Sequence, residues 1–309
     1  MTKDKWQGHI AIFSTNLIFG LNTPIAKSIV PEWISPYALT LLRMISAALI
    51  FWMVSLFFKN EKVGRKDLFI LFFGALFGLV GAQLSFANAL LYTSPVNISI
   101  IAAMTPVAVM ILAALVLKEP ITFKKAAGVM IGASGALLII LQSTTGNTNP
   151  GNMIGNLLCI VNVITYAIYL VITRPISQRY SPITLMKWMF LFSTLISFPL
   201  GISDLLNARV FSDAASFDVI LRVAYIIIMA TGIAYILVPT ALKRIRPTTV
   251  SMYNNVQPII ASVIAIIIGQ DIFSWDKPLA ALLVFTGVYL VTQSKSKEEI
   301  DRLKTPNKS

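Results

Sequence analysis

The chain has 309 residues, of which 56% are hydrophobic and 12% charged, and its mean hydropathy is +0.78. This excludes an ordinary soluble domain: one core cannot hide a succession of apolar stretches, each near the ~20 residues that cross a bilayer. The formal net charge of +12 does not indicate nucleic acid, because the basic residues are scattered through short connectors and the tail, without zinc-finger spacing or a basic stripe.

Hydropathy predicts ten spans, over 9–29, 36–58, 68–91, 96–117, 124–141, 153–173, 182–202, 217–238, 248–268 and 277–293. The first follows Lys3 and Lys5 with no small-residue cleavage site after it, so it reads as a span and not a removed signal peptide. Lys59, Lys62, Arg65, Lys66, Lys118, Lys124, Lys125, Arg174, Arg179, Lys243, Arg244 and Arg246 fall on one side of this topology, and only Arg209, Arg222 and Lys277 in the connectors of the other, with Lys27 near an outer helix end. The positive-inside rule then puts both termini in the cytoplasm of a multi-pass protein of the plasma membrane, in a bacterium the inner membrane. Connectors are short apart from a polar stretch, 142–152, and the segment 203–216, whose apolar residues suit the membrane interface. The tail, 294–309, is basic, lacks aromatic residues and is expected to be disordered.

The chain repeats itself. Ala89-Leu90, Pro95, Pro106 and Gly135 return 152 residues later as Ala241-Leu242, Pro247, Pro258 and Gly287; Ser35-Pro36 returns as Ser181-Pro182, and Gly8 as Gly155. Five spans per copy force the second copy to enter the membrane reversed. The expected fold is therefore an all-α polytopic membrane protein of ten transmembrane helices in two inverted five-helix repeats, 1–141 and 153–293, joined by the linker 142–152. That arrangement suits an alternating-access carrier with its site at the repeat interface.

Polar side chains inside apolar spans should face the bundle interior. The candidates for solute binding are Asn16, Asn22, Gln83, Asn88, Asn97, Tyr166, Tyr169, Tyr235, Tyr253, Asn254, Asn255 and Gln257, with Asn162 as a further polar residue. Under the 152-residue offset Gln83 pairs with Tyr235 and Asn97 with Thr249. Arg43 joins the list as an intramembrane cation: all thirteen Asp and Glu fall in connectors, tails or helix edges, so it meets an anionic solute, takes part in a gate, or snorkels outward. Lys187 is the corresponding cation of the seventh span, a gating candidate or a snorkelling anchor. Pro106 and Pro258 each remove a backbone donor mid-span and predict a bend, as does Pro24 near Gly20 and Asn22. Gly74-x-x-x-Gly78 and Gly128-x-x-x-Gly132 allow close helix approach, within one chain or in a weak homodimer. With His9 as the one histidine, Cys159 as the one cysteine and no carboxylate in the path, neither an enzyme, a metal site nor a cofactor is expected, and exchange or facilitated efflux suits the chain better than proton coupling.

Trp6-x-Gly8, Asn16, Phe19-Gly20 and Asn22, then Pro36, Arg43, Gly81, Phe86, Ala89-Leu90, Tyr92, Ala102, Pro106, Glu119, Gly128 and Gly135, together with Gly155, Tyr166-Ala167, Pro182, Ala241-Leu242, Pro258, Gly269 and Gly287, carry a resemblance to the EamA-type branch of the drug/metabolite transporter superfamily over about residues 8–293. The resemblance implies export of a small metabolite, commonly an amino acid, through a cavity lined by the first, third, fourth, sixth, eighth and ninth spans. Multidrug efflux is the alternative, with a channel or a non-transporting scaffold behind it. The polar run Tyr253–Gln257 and Lys187 depart from the family pattern. The expected partners are a small-molecule substrate, a carboxylate-bearing one being the natural match for Arg43, and membrane lipid.

Overall fold

The computed structural model describes residues 3–93, 98, 101–142, 153–260, 263 and 275–294, and everything described is helix or connector. The helices are α1 (Lys3–Ile29), α2 (Pro36–Ser55), α3 (Arg65–Tyr92), α4 (Thr105–Val116), α5 (Phe123–Gln142), α6 (Met153–Arg179), α7 (Pro182–Leu206), α8 (Phe217–Arg244), α9 (opening with Pro247–Met252) and α10 (Asp276–Thr292). Among them α2, α3, α6, α7 and α8 are long and apolar enough to cross a membrane. Several run further than hydropathy predicts: α6 continues to Arg179 and α8 to Arg244, because a helix persists beyond the hydrocarbon until its backbone is capped or broken.

The starts of α2 and α7 are built alike. Ser35 and Ser181 are N-caps in extended conformation, each followed by a proline whose missing N–H costs nothing in the first turn. Each cap hydroxyl also reaches a carboxylate at the far end of the other helix, Asp204 in the last turn of α7 and Glu61 beyond α2. Ser35 donates to Asp204 at 2.5 Å, and Ser181 donates to Glu61 at 2.9 Å, with the Ser181 amide donating to the same Glu61 oxygen at 2.9 Å. So α2 and α7 are antiparallel neighbours pinned at both ends.

Lipid tails are as apolar as leucine, so hydrophobicity does not draw such helices together; close packing and hydrogen bonds do. The rings of Phe51 and Phe190 stack at 5.3 Å between α2 and α7. On α5 and α10 the backbones nearly touch: a Cβ added at Gly287 would lie 2.6 Å from the Gly128 carbonyl oxygen and 2.7 Å from the Gly132 Cα. The α1–α8 and α3–α6 pairs are sealed similarly. A Cβ on Gly8 would meet the Arg244 side chain at 3.0 Å, and one on Gly155 would meet Thr93 at 2.7 Å.

Breaks occur where the site will be. Both α3 and α8 contain a π-helical segment, Ala75–Gly81 and Ile228–Ile233. The helix α9 tightens into a 3₁₀ turn at Tyr253–Val256, and Pro258 lies in the resumed helix just beyond it. Pro106 falls in the first turn of α4, after a turn at 103–104. Each proline thus marks a restart, not a gentle bend, because it supplies no N–H to the carbonyls before it. Pro24 sits inside an uninterrupted α1, exposed. Between α7 and α8, in the segment 203–216, Val210 is buried and its amide donates to the Trp33 carbonyl at 3.0 Å.

Candidate functional site

These breaks surround a cavity of about 120 Å³. The helix α1 contributes Phe19, Asn22 and Thr23; α2 contributes Arg43; α3 contributes Gly78, Ala82, Gln83 and Phe86. Across from them stand Thr105 of α4, Asn162 and Tyr166 of α6, Tyr235 of α8, and Asn254 and Gln257 of α9. All six helices expected from the sequence take part, and α2 adds the cation.

Arg43 is 3% exposed. Its Nε donates to Thr231 Oγ1 at 2.8 Å, one terminal nitrogen donates to Gln83 Oε1 at 2.7 Å, and the other donates to the Ala230 carbonyl at 3.2 Å. Two of these acceptors belong to the π-helical segment of α8: the Thr231 hydroxyl also donates to the Ile226 carbonyl at 2.8 Å, and the Ala230 carbonyl lies within reach of α2. Gln83 then passes the interaction on by donating to the Tyr235 hydroxyl. Every partner of the guanidinium is neutral, and among the described residues no carboxylate lines the cavity. A guanidinium keeps its proton even when buried, and five N–H donors less three committed leave two unspent, so the cavity carries a positive charge with donors to spare.

Eight of the sequence-predicted polar residues meet at this cavity: Asn22, Arg43, Gln83, Asn162, Tyr166, Tyr235, Asn254 and Gln257. Others stand behind the wall. Asn16 is fully buried, donates to the Ile12 carbonyl at 2.8 Å and accepts from Gln257 at 2.7 Å, so it orients a lining residue. Tyr169 lies under Gly78, where a Cβ would come within 2.3 Å of its ring, and supports the neighbouring Tyr166 at 5.8 Å between centroids. Tyr253 pairs through its hydroxyl with His9 Nδ1 at 2.8 Å, away from the cavity. Asn255 is buried toward Gly132, with neither side-chain atom hydrogen-bonded among the described residues. Asn88 bonds back to its own helix, to the Leu84 carbonyl at 2.9 Å. Asn97 lies outside the described residues. Lys187 is far from Arg43's partners, against Trp52 and Asn60. Asn162 donates to the Ala82 carbonyl at 2.7 Å and joins α6 to α3. The sequence reading missed Thr231, whose signal was its place one turn before Tyr235, and the wall residues Thr23, Phe86 and Thr105. Among the described residues no cluster of His, Cys, Asp and Glu could hold a metal ion.

A bundle of membrane-length apolar helices enclosing a small polar chamber with one buried cation defines a polytopic membrane protein built around a solute-sized internal site. The profile of the EamA-like transporter family matches residues 6–141 and again 153–293, and the chain belongs to that family. It is 22% identical over 96% of its length to the uncharacterized transporter YetK of Bacillus subtilis, covering 90% of that protein, and 23% identical over 94% to an uncharacterized transporter of Archaeoglobus fulgidus, covering 99%. A WAT1-related protein of Arabidopsis thaliana is 21% identical over 95% of the chain, covering 92% of that protein. The fold is similar to that of a solved crystal structure with a TM-score of 0.74 at 17% identity, across 94% of this chain and 99% of the other. The protein is thus a membrane transporter by family.

Proposed function

We propose that this transporter is an alternating-access carrier, ten spans in two inverted five-helix repeats, moving a small carboxylate-bearing metabolite outward across the plasma membrane. The observation that carries the reading is Arg43: a buried cation with neutral protein partners and two unspent donors, in a cavity where the described residues include no acid. Burying an ion away from water costs several kcal/mol, and a bound carboxylate offsets that cost while filling the remaining fork positions. A cavity of about 120 Å³ suits a compact metabolite such as an amino acid better than a drug-sized molecule.

Support for the inversion comes from which ends meet. Lys27, near the end of α1, donates to the Leu90 carbonyl near the end of α3, so those ends share a face. Gly155, at the start of α6, packs on Tyr92 and Thr93 at that same α3 end, whereas its counterpart Gly8, at the start of α1, packs on Arg244 and Ile245 at the end of α8. Equivalent helices therefore start from opposite faces, and Gln83 and Tyr235, 152 residues apart, touch where a two-fold axis in the membrane plane would pass. The deciding experiment is a panel of amino acids, other small carboxylates and cationic drugs offered to the purified protein in liposomes. The reading expects saturable counterflow of a carboxylate; counterflow of cationic drugs alone, or flux that never saturates, refutes it.

A further inference from the structure

A second buried cation lies outside the cavity. Lys187, in the second turn of α7, is 7% exposed. Its ammonium sits 5.2 Å from the centroid of the Trp52 ring and makes one long hydrogen bond, 3.4 Å to Asn60 Oδ1. An ammonium has three donors, and among the described residues no carboxylate pairs with this one. The acid closest in sequence to Asn60, Glu61, is committed to the Ser181 amide and hydroxyl. A cation so placed, with two donors idle, is incomplete without an anion.

The surroundings indicate where that anion comes from. Trp52 stands edge-on to Trp188 at 5.6 Å, forming an aromatic wall. The chain leaving α2 reads Leu56-Phe57-Phe58-Lys59-Asn60, with Phe57 87% exposed, and then adds Lys62, Arg65 and Lys66, all exposed. Apolar rings followed at once by lysines, on a membrane protein, mark the level where acyl chains give way to headgroups. Trp52 and Asn60, which flank the ammonium, are themselves open to the surroundings, so a headgroup reaches it by displacing only the 3.4 Å contact.

We infer that the α2–α3 end of the α2–α7 pair binds the phosphate of an anionic phospholipid, with the Lys187 ammonium as the inner ligand, Trp52 as the wall and Lys59 and Lys62 at the rim. This inference does not depend on what the central cavity carries.

The test is native mass spectrometry of the full-length protein in detergent, titrated with phosphatidylglycerol or phosphatidylcholine. Phosphatidylglycerol is expected to bind the wild type more tightly, and Lys187→Gln to reduce that preference about fivefold, the factor one near-surface lysine contributes. Lys187→Arg should keep the preference, and Arg222→Gln, in a cation paired with Asp218 elsewhere on the chain, should leave it unchanged. Should Lys187→Gln fail to fold, brominated phosphatidylglycerol should quench the wild type's tryptophan fluorescence more than brominated phosphatidylcholine does, and Trp52→Phe should reduce the excess, the remainder coming from Trp188 beside it. Equal binding of the two lipids, a preference that survives Lys187→Gln, or quenching unaltered by Trp52→Phe overturns the site. Competition by millimolar inorganic phosphate would assign it to a free anion and overturn the lipid.

Discussion

Arg43→Gln separates a binding role from a structural one. In the wild type the guanidinium has two N–H groups left after Thr231, Gln83 and the Ala230 carbonyl are satisfied. If a carboxylate takes both, each charge-assisted bond contributes about 1.5 kcal/mol at the low end, so their loss weakens solute affinity by about 3 kcal/mol, or roughly 150-fold. Stability should respond quite differently. The substitution deletes a buried charge that has no acidic partner, which removes its desolvation cost, while the glutamine amide can still donate to one of the three acceptors. The unfolding free energy should therefore move by no more than about 1 kcal/mol. Equilibrium binding of the solute that scores in counterflow, beside thermal unfolding of the same preparation, reads both quantities. Wild-type affinity in Arg43→Gln refutes the carboxylate assignment. Loss of fold and binding together would make Arg43 an anchor.

Three further outcomes are expected. Thr231→Val removes the Nε acceptor and lets the guanidinium turn, lowering affinity about tenfold through the loss of roughly one hydrogen bond to a charged group, and Thr231→Ser restores it; the same binding assay decides. Gly287→Ala drives a methyl to 2.6 Å from the Gly128 carbonyl oxygen, so α10 must shift off α5 and stability falls by about 1–3 kcal/mol, read as a lower unfolding midpoint without change in Arg43-dependent affinity. Glu61 gives a pH signature. Partial burial pushes its carboxyl up, but hydrogen bonds from Thr184 and from the Ser181 amide and hydroxyl, with the charge of Lys243, outweigh this and hold it below the usual carboxylate range. Because the folded value lies below the unfolded one, its contribution is complete above the ordinary glutamate value near ~4.3 and disappears as pH falls through the lower folded value. Glu61→Gln should flatten that acid limb of the unfolding midpoint, and an unchanged limb would exclude Glu61 as its source.

Much of this was legible in the chain itself. The helices follow from runs of apolar residues, two of them opened by Ser-Pro, and Arg43 stood out because acids are missing from the spans. Which polar residues face the cavity was harder to read, for a physical reason. A membrane helix is apolar toward lipid and toward its neighbours alike, so the 3.6-residue period that marks a soluble helix's inner face is faint. Asn22 and Asn16 look equivalent in sequence, yet one lines the cavity and the other supports Gln257 from behind. The π-helical segments compound the problem. Each changes the facing of every later residue in its helix, so beyond its place one turn before Tyr235, Thr231 carried no signal, and nothing in Ile228–Ile233 announces that the Ala230 carbonyl will turn toward α2. Asn255, in the polar run before Pro258, is instead buried against the glycine seam of α5.

The hydrogen bond between Gln83 and Tyr235 joins two positions that the internal duplication makes counterparts. A chamber whose counterparts were identical would offer a ligand two interchangeable poses, head and tail swapped, and neither would be preferred. An amide on one side and a phenol on the other abolish that degeneracy, and with Arg43 near one of them the chamber acquires a polarity of its own. If the proposed solute binds there, its two orientations are unequal, and the divergence of this one pair of counterparts contributes to that difference.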